Sequence, residues 1–258
     1  MINDKQIEYG RYNDRAKRIL FEDGDKTDVG SLRWGSSAIP LTLRAPYIYY
    51  EQCIRRYISA NHHVLEIGSG TGLHTMALLK TNAHVVASDI SAYSLEVLKR
   101  RLKGQGRFQT ATGDMEALPF KNQNFDVICS AGSLSYGDPW LVNREIFRLL
   151  KPGGIFICVD SLNHNPVYRF NRWLRYLKGE RTKSALLRIP DMGRIKSIGK
   201  KFDMVNVKYF GGISFLMPFL ERIIGSTKAA KFSDTFDRAF NIKYSAFKFV
   251  MVASKYRI

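Results

Sequence analysis

The chain has few cysteines, no long apolar run and few acidic residues. Its 258 residues include three cysteines, Cys53, Cys129 and Cys158, and the last two fall inside strand-like segments. This odd number predicts small core residues in a reducing compartment and argues against disulfides or a metal site. No stretch approaches the about 18 uncharged apolar residues of a spanning helix, and the polar N-terminus lacks the apolar segment of a signal peptide. We therefore expect a cytoplasmic protein.

The deficit of acidic residues is confined to the second half of the chain. Residues 163–258 hold 20 lysines and arginines against 6 acidic residues, a net charge of +14, whereas residues 1–162 hold 20 against 17, or +3. This predicts attraction to phosphate groups, to nucleic acid or to the inner face of an acidic membrane. The alternative is a solvated basic surface without a specific partner. The aromatic residues between the arginines of residues 168–176 fit lipid or phosphosugar better than stacked bases.

A glycine-rich segment, residues 64–72 (VLEIGSGTG), is the strongest local signal. Its apolar residues predict a buried strand, and the spacing of residues 73–80 predicts a helix after the turn. The Gly-x-Gly-x-x-Gly of dinucleotide-binding folds would need a glycine at Leu73. Glu66 precedes the loop, where a carboxylate would repel a pyrophosphate but could accept hydrogen bonds from an amino group. The loop therefore predicts a ligand that carries an ammonium.

Further segments follow in the order of a doubly wound sheet. A strand-like run at residues 83–88 ends at Asp89, where such folds place the acid that binds ribose hydroxyls. Asp114 follows another such run in the same way. Each acid alone could be a helix cap or a turn residue, but their shared position after strands indicates a cofactor site. The remaining core segments are strand-like runs at 108–113, 125–130 and 155–160 and a helix at 140–150.

Five motifs, EIGSGTG, VVASDIS, GDMEALPF, FDVICS and LLKPGG, occur in this order within residues 40–160. In this the chain resembles the class I S-adenosylmethionine-dependent methyltransferases, most closely the branch that includes ubiquinone and menaquinone biosynthesis enzymes. The resemblance implies one α/β domain over residues 1–258. Its sheet would be Rossmann-like, doubly wound and seven-stranded, mostly parallel with an antiparallel last strand. S-adenosyl-L-methionine would be the cofactor, bound by Glu66, Gly68, Ser69, Gly70, Gly72, Asp89, Ile90, Asp114, Met115 and Ser130.

The flanks match that family less well. Residues 1–39 are polar, with turn clusters at 23–25 and 35–37, and predict an N-terminal cap. In the resembling family such segments fold over cofactor and substrate, so aromatic residues of the cap are candidates for the substrate site. The alternative is that they only pack the cap onto the domain. These candidates are Tyr9, Tyr12 and Trp34.

Two excursions in the second half are candidates for choosing the substrate. The first covers residues 161–200. The second, residues 211–242, separates predicted strands at 202–209 and 246–254, which the resemblance pairs as an antiparallel hairpin. Further candidates for substrate binding are Tyr136, Tyr168 and Arg169.

The segments HNPVYRFNR and ERTKSALLRIP and the apolar run FGGISFLMPFL lie in the C-terminal half. With them, this half also resembles methyltransferases of bacterial surface-polysaccharide biosynthesis. That resemblance implies O-methylation of a sugar, of another hydroxylated, phosphate-bearing small molecule or of a lipid-linked glycan. A hydroxyl acceptor needs a base for its proton. His164 follows the fifth strand, where ligands bind in open α/β sheets, and is the predicted general base; a turn-stabilising role is the alternative. Asp138 and Asp160 are the next candidates.

Other functions remain open at this point. One is methylation of a quinone or secondary-metabolite ring, and another is an RNA-binding protein or RNA methyltransferase that uses the basic insertions. A third is a noncatalytic subunit that retains the fold. Residues 130–133 (SAGS) replace the Asn/Asp-Pro-Pro-Phe/Tyr segment of many amino-nucleobase methyltransferases, which argues against methylation of exocyclic amines in nucleic acid.

Overall fold

The computed structural model describes residues 4–21, 33–240 and 242–256. The turn cluster predicted at residues 23–25 lies outside these ranges. The strands of the described chain are β1 (His63–Ile67), β2 (His84–Asp89), β3 (Phe108–Thr112), β4 (Phe125–Ala131), β5 (Leu150–Ser161), β6 (Met204–Phe210) and β7 (Lys248–Ser254). They form one sheet in the order β3-β2-β1-β4-β5-β7-β6.

The predicted α/β fold is confirmed. Strands β1 to β5 pair in parallel, and β7 runs antiparallel to both β5 and β6. The hairpin of the last two strands is therefore present, with the predicted excursion between them. Residues 151–154, which belong to the motif LLKPGG, lie inside β5, where the pairing with β4 skips from Leu150 to Ile155.

Burial on both faces explains the apolar strand sequences. Leu65 and Ile67 contribute to a core on one face of the sheet, whereas Val64 contributes to a second core on the other face. A parallel sheet covered on both sides requires such continuous apolar runs. The three cysteines are buried free thiols, as expected from their number and positions.

Helices cover both faces of the sheet and form the flanking segments. They are α1 (Asp4–Phe21), α2 (Ala45–Tyr57), α3 (Thr75–Leu79), α4 (Ala92–Arg101), α5 (Pro139–Leu149), α6 (Pro166–Leu177), α7 (Lys183–Leu187), α8 (Met192–Gly199), α9 (Met217–Ile224) and α10 (Ser226–Ala239). Within the described ranges no helix has the length and apolar character needed to cross a bilayer.

Local sequence explains several helix boundaries. Asp138 and Asn165 accept hydrogen bonds from the first backbone amides of α5 and α6, and a proline follows each of them. The helix predicted from Leu73 starts only at Thr75, because residues 71–74 are still part of the glycine turn. The long helix α1 was not predicted from its polar sequence. It buries Glu8, Asn13 and Ala16 against the rest of the protein.

Candidate functional site

A cavity of about 430 Å³ lies at the carboxyl ends of the central parallel strands. Because β1, β2 and β4 point in the same direction, the loops that follow them meet at this edge of the sheet. Most of the residues predicted to bind the cofactor line this cavity. They are Glu66, Gly68, Ser69, Gly70, Asp89, Ile90, Asp114 and Met115.

The glycine loop has a backbone path that only glycine permits at Gly68. This residue has φ of +68°, and a Cβ there would lie 2.5 Å from the Ser133 Cβ. The loop is also anchored to β2, since the Ser69 amide donates to the Ser88 carbonyl at 2.9 Å. The loop therefore lies directly against the strand ends and exposes its backbone to the cavity.

Glu66 places a buried carboxylate beside the loop. The Thr75 hydroxyl donates to its Oε2 at 2.5 Å. The pKa of Glu66 is raised to about 7, because burial and the charge of Asp89 raise it by more than the Thr75 hydrogen bond lowers it. Among the described residues no basic side chain forms an ion pair with Glu66. A cationic ligand group would compensate the buried charge.

Asp89 is held by backbone amides. The amide of Gly70 donates to Oδ2 and that of Ser91 donates to Oδ1, both at 2.9 Å. Burial raises the pKa of Asp89, while these backbone hydrogen bonds act in the opposite direction. Each carboxylate oxygen has further acceptor capacity. The geometry fits a pair of ligand hydroxyls, as predicted for a ribose.

Helix α1 extends over the cavity and is fastened at one end to the segment between α6 and α7. Glu8 accepts hydrogen bonds from the amide and the hydroxyl of Thr182, both at 2.9 Å. Arg11 donates to the carbonyl oxygens of Gly179 and Glu180. The predicted N-terminal cap is therefore a helix that forms one wall of the site.

The same helix also contacts the cofactor side of the cavity. Lys5 forms ion pairs with Asp114 and, at 2.7 Å, with Glu116. The hydroxyl of Tyr12 donates to the Tyr136 hydroxyl at 2.5 Å, and burial raises the pKa of Tyr12. Three of the predicted substrate residues thus line the cavity. They are Tyr9, Tyr12 and Tyr136.

A cationic, aromatic part of the cavity was not predicted. His74 stacks on Tyr47, with ring centroids 5.0 Å apart and an interplanar angle of 2°. Lys248 lies 5.2 Å from the centre of the same Tyr47 ring and donates to the Ser161 hydroxyl at 3.3 Å. All four residues line the cavity. One feature of the sequence could have indicated this part of the cavity: Lys248 is the single charged residue in the sequence of β7, KFVMVAS.

The structure does not bring His164 to the cavity. Its Nε2 accepts a hydrogen bond from the Met192 amide at 2.8 Å, at the start of α8, and its ring meets Tyr244 edge to face. A nitrogen used in this way cannot accept a substrate proton, and His164 does not line the cavity, so the structure does not place the predicted base beside the predicted cofactor residues. The two reserve candidates are also engaged outside the cavity. Asp138 caps α5, and Asp160 accepts from the amides of Leu134 and Ser161.

Five other predicted residues lie behind the cavity walls or away from them. Ser130 supports the wall residue Ser133 through a hydroxyl contact of 2.7 Å. Tyr168 is buried against Phe247, whereas Arg169 is exposed on the surface of α6. Gly72 and Trp34 have packing roles: a Cβ on Gly72 would meet Leu98, and the Trp34 ring packs against the core. These five residues are Trp34, Gly72, Ser130, Tyr168 and Arg169.

Comparison with known proteins agrees with this site. Residues 65–158 match the family described as "Methyltransferase domain". The chain is 39% identical over 112 residues to a demethylmenaquinone methyltransferase of Clavibacter sepedonicus, which covers 43% of this chain and 46% of that protein. It is 32% identical over 130 residues to 2-methyl-6-phytyl-1,4-hydroquinone methyltransferase 1 of Oryza sativa subsp. japonica, covering 46% of this chain and 38% of that protein.

Among solved structures, the [4+2]-cyclase SpnF has a TM-score of 0.64 to this chain at 15% identity, over 99% of this chain and 97% of its own. At that identity the likeness shows the fold alone. The sequence match covers residues 65–158, which are similar to a methyltransferase domain. The chain spans less than half the length of the two methyltransferases named above.

Proposed function

We propose that the protein methylates a hydroxylated aromatic ring of the quinol type, with S-adenosylmethionine as methyl donor. The observation that supports this most directly is the composition of the cavity. Its carboxylate part contains Glu66 and Asp89, and its other part contains Tyr47, His74 and Lys248. Such a cavity has complementary groups for a cationic, ribose-containing cofactor and for a flat acceptor that carries oxygen.

The residues present fit the cofactor. Glu66 would bind its ammonium group, Asp89 would bind its ribose hydroxyls, and the glycine loop would let the ligand approach the backbone. The buried Ser69 hydroxyl has no hydrogen-bond partner among the described residues and is available to a ligand. When bound, S-adenosylmethionine supplies an electrophilic methyl group on a sulfonium, and its transfer leaves a neutral thioether.

The relatives favour a quinol acceptor over the sugar expected from the polysaccharide resemblance. The names of the two methyltransferases described above specify demethylmenaquinone and a hydroquinone. The cavity walls agree, since Tyr9, Tyr12, Tyr47 and Tyr136 supply aromatic surface for a flat ring. Sugar O-methylation lacks comparable support in this site.

The protein's own contribution would be alignment and exclusion of water. Methyl transfer is an in-line displacement, so holding acceptor and donor in register accounts for much of the rate. Helix α1, fastened through Glu8 and Arg11, covers the reacting groups. The pair of Tyr12 and Tyr136 fixes the position of the cover relative to the loop after β4.

A binding and turnover experiment tests this proposal. Calorimetry should show binding of S-adenosylmethionine, and mass spectrometry should show one added methyl group on a short-chain demethylmenaquinol. Nucleotide sugars, lipid-linked sugars and RNA serve as competing acceptors in the same assay. Methylation of a sugar or RNA without methylation of any quinol would overturn the acceptor class. Failure to bind the cofactor would overturn the proposal as a whole.

A further inference from the structure

Lys248 is a buried ammonium inside the cavity that has no carboxylate partner in the described chain. Its side chain is only 8% exposed. It donates to the Ser161 hydroxyl and lies over the rings of Tyr47 and Phe247. Burial of a charge without an opposite charge costs free energy, which a ligand anion would recover. This cost indicates an anionic group in the acceptor.

His74 completes the same cluster from the loop that follows the glycines. Its ring is 8% exposed, and its buried Nδ1 has no hydrogen-bond partner in the described structure. Burial and, to a smaller extent, the charge of Lys248 lower the pKa of His74 to about 4, so the ring is neutral at pH 7. Tyr47 contacts both residues, which places a neutral imidazole and an ammonium around one aromatic ring.

We infer that Lys248, together with His74 and Tyr47, binds a single ionised ring oxygen of the acceptor. This inference rests on the proposed function and specifies its substrate class as a phenolate. A phosphate group is usually held by several charge-assisted donors, often a bidentate arginine. Arg15 and Arg181 also line the cavity, but the contacts of Tyr47 are to His74 and Lys248, and one ammonium among aromatic rings suits one oxygen on a flat ring. Ionisation of that oxygen would also make the ring a better nucleophile.

Binding of 4-nitrophenol tests the inference without methyl transfer. The ionised form absorbs at longer wavelength than the neutral form, so absorbance reports the bound phenolate directly. In the presence of S-adenosylhomocysteine, Lys248→Met should weaken phenolate binding roughly 10- to 100-fold, the effect of losing a hydrogen bond to a charged group. Binding of 4-nitroanisole, which cannot ionise, should remain unchanged.

Lys208→Met is the matched control, because Lys208 also lies over a tyrosine ring, that of Tyr49, but outside the cavity. It should bind both probes like the wild type. Equal weakening of the two probes by Lys248→Met, or unchanged phenolate binding, would overturn the inference. Calorimetry of the cofactor on the same proteins separates this failure from failure of the proposed function.

An independent observation concerns α6, whose apolar face points away from the protein. At 3.6 residues per turn, its exposed apolar side chains lie within an arc of about 120°, and the buried Tyr168 and Arg172 lie on the opposite side. This orientation is the reverse of that in a core helix. The side chains of the exposed stripe are Val167, Phe170, Trp173, Leu174 and Leu177.

Basic residues border this stripe. Arg169 and Lys178 are exposed at its two edges, and residues 163–258 as a whole carry a net charge of +14. An apolar stripe with flanking cations is complementary to an anionic lipid surface, which receives the apolar side chains between its headgroups. We propose that α6 binds the protein to an anionic membrane surface.

The position of α6 links the proposed membrane contact to the cavity. The helix is followed at once by residues 179–181, and Arg181 lines the cavity. The carbonyl oxygens of Gly179 and Glu180 are also bonded to Arg11 on the covering helix α1. Membrane contact at α6 would therefore bring lipid close to the cavity wall, where an acceptor with an apolar chain could enter.

Vesicle flotation tests the surface. The full chain should float with vesicles of phosphatidylglycerol and phosphatidylcholine at low salt, and less so with phosphatidylcholine alone. The double variant Phe170→Ser/Trp173→Ser should lose at least about 10-fold in vesicle affinity, since it removes two aromatic side chains that would be buried between the headgroups. Trp140→Ser is the matched control, because Trp140 is 60% exposed on α5 and also lies beside an arginine.

Three outcomes would overturn the surface proposal. In the first, the wild-type protein stays at the bottom of the gradient at low salt, and in the second, the double variant floats normally. In the third outcome, sedimentation shows a wild-type dimer that the double variant abolishes, so that a second copy of the chain covers α6. Circular dichroism checks that the double variant is folded. We expect it to fold, because Phe170 and Trp173 are both exposed.

Discussion

The two parts of the cavity are built in different ways. At the cofactor part, each carboxylate is held by groups within 20 residues in the sequence: Glu66 by Thr75, and Asp89 by Gly70 and Ser91. At the acceptor part, Tyr47, His74, Ser161 and Lys248 come from four distant segments. Short-range contacts are tied to a motif, whereas long-range contacts depend on the whole fold. If the proposed function holds, the comparison predicts that the part with Glu66 and Asp89 is general and that the part proposed to bind the acceptor sets specificity.

Asp89→Ala is expected to have the largest effect, a loss of cofactor affinity, and it tests whether the two parts of the cavity differ in function. Loss of two hydrogen bonds from ligand hydroxyls to a carboxylate should weaken cofactor binding by about 1.5–3 kcal/mol for each bond. Calorimetry with S-adenosylmethionine measures the change. Asp126→Ala is a suitable control, because Asp126 also accepts from a backbone amide, that of His63, but lies outside the cavity. Unchanged affinity in Asp89→Ala would remove this residue from the cofactor site.

The difference between short-range and long-range contacts also explains which parts of the site could be predicted from the sequence. The strands, the glycine loop and the eight predicted cofactor residues on the cavity wall could be recognised from local motifs, because parallel strands present their carboxyl ends at one edge. His164 is also at that edge, but the start of α8, 28 residues later in the chain, occupies its Nε2. His74 and Lys248 lack a local motif, and only the folded chain brings them to the same ring.

The second prediction concerns Glu66→Gln and pH. Burial raises the pKa of Glu66 to about 7 from 4.5, so the folded protein binds this proton more tightly than the unfolded chain. Wild-type stability contributed by this group is therefore lost as the pH rises from about 4.5 through about 7. The variant cannot ionise and retains an acceptor for Thr75. Without ligand it should be more stable than the wild type by on the order of 3 kcal/mol at about pH 8.

Urea unfolding at about pH 8 and about pH 4.5 measures this difference, which should disappear at the lower pH. The cofactor should reverse the order at the higher pH, because its ammonium stabilises only the ionised wild type. Equal stability of the two proteins without ligand at the higher pH would show that Glu66 is not a strained buried charge. Equal weakening of cofactor and adenosine binding in the variant would contradict the ammonium assignment.

A smaller effect is expected for Glu8→Ala on the covering helix. The change leaves the amide and hydroxyl of Thr182 without their acceptor, which costs about 1–3 kcal/mol if both stay buried. Because α1 covers the cavity, the cofactor should also dissociate faster in stopped-flow experiments. Asp14→Ala, at an exposed position of the same helix, should behave like the wild type. Identical dissociation rates for all three proteins would show that α1 does not retain the ligand.

The smallest effect on turnover is expected for His164→Ala. This variant tests whether a residue that follows a strand at the sheet edge also takes part in the reaction. The ring nitrogen accepts the Met192 amide and does not face the cavity, so removal of the ring should cost about 1 kcal/mol of stability, as loss of a helix-capping acceptor does. Turnover should stay within about twofold of the wild type, since a lost general base would lower it by about 10²–10⁴-fold. Steady-state kinetics and thermal unfolding on the same sample separate the two effects. A loss of turnover of that size at unchanged cofactor affinity would return His164 to the reaction and would require α8 to move away from it when the acceptor binds.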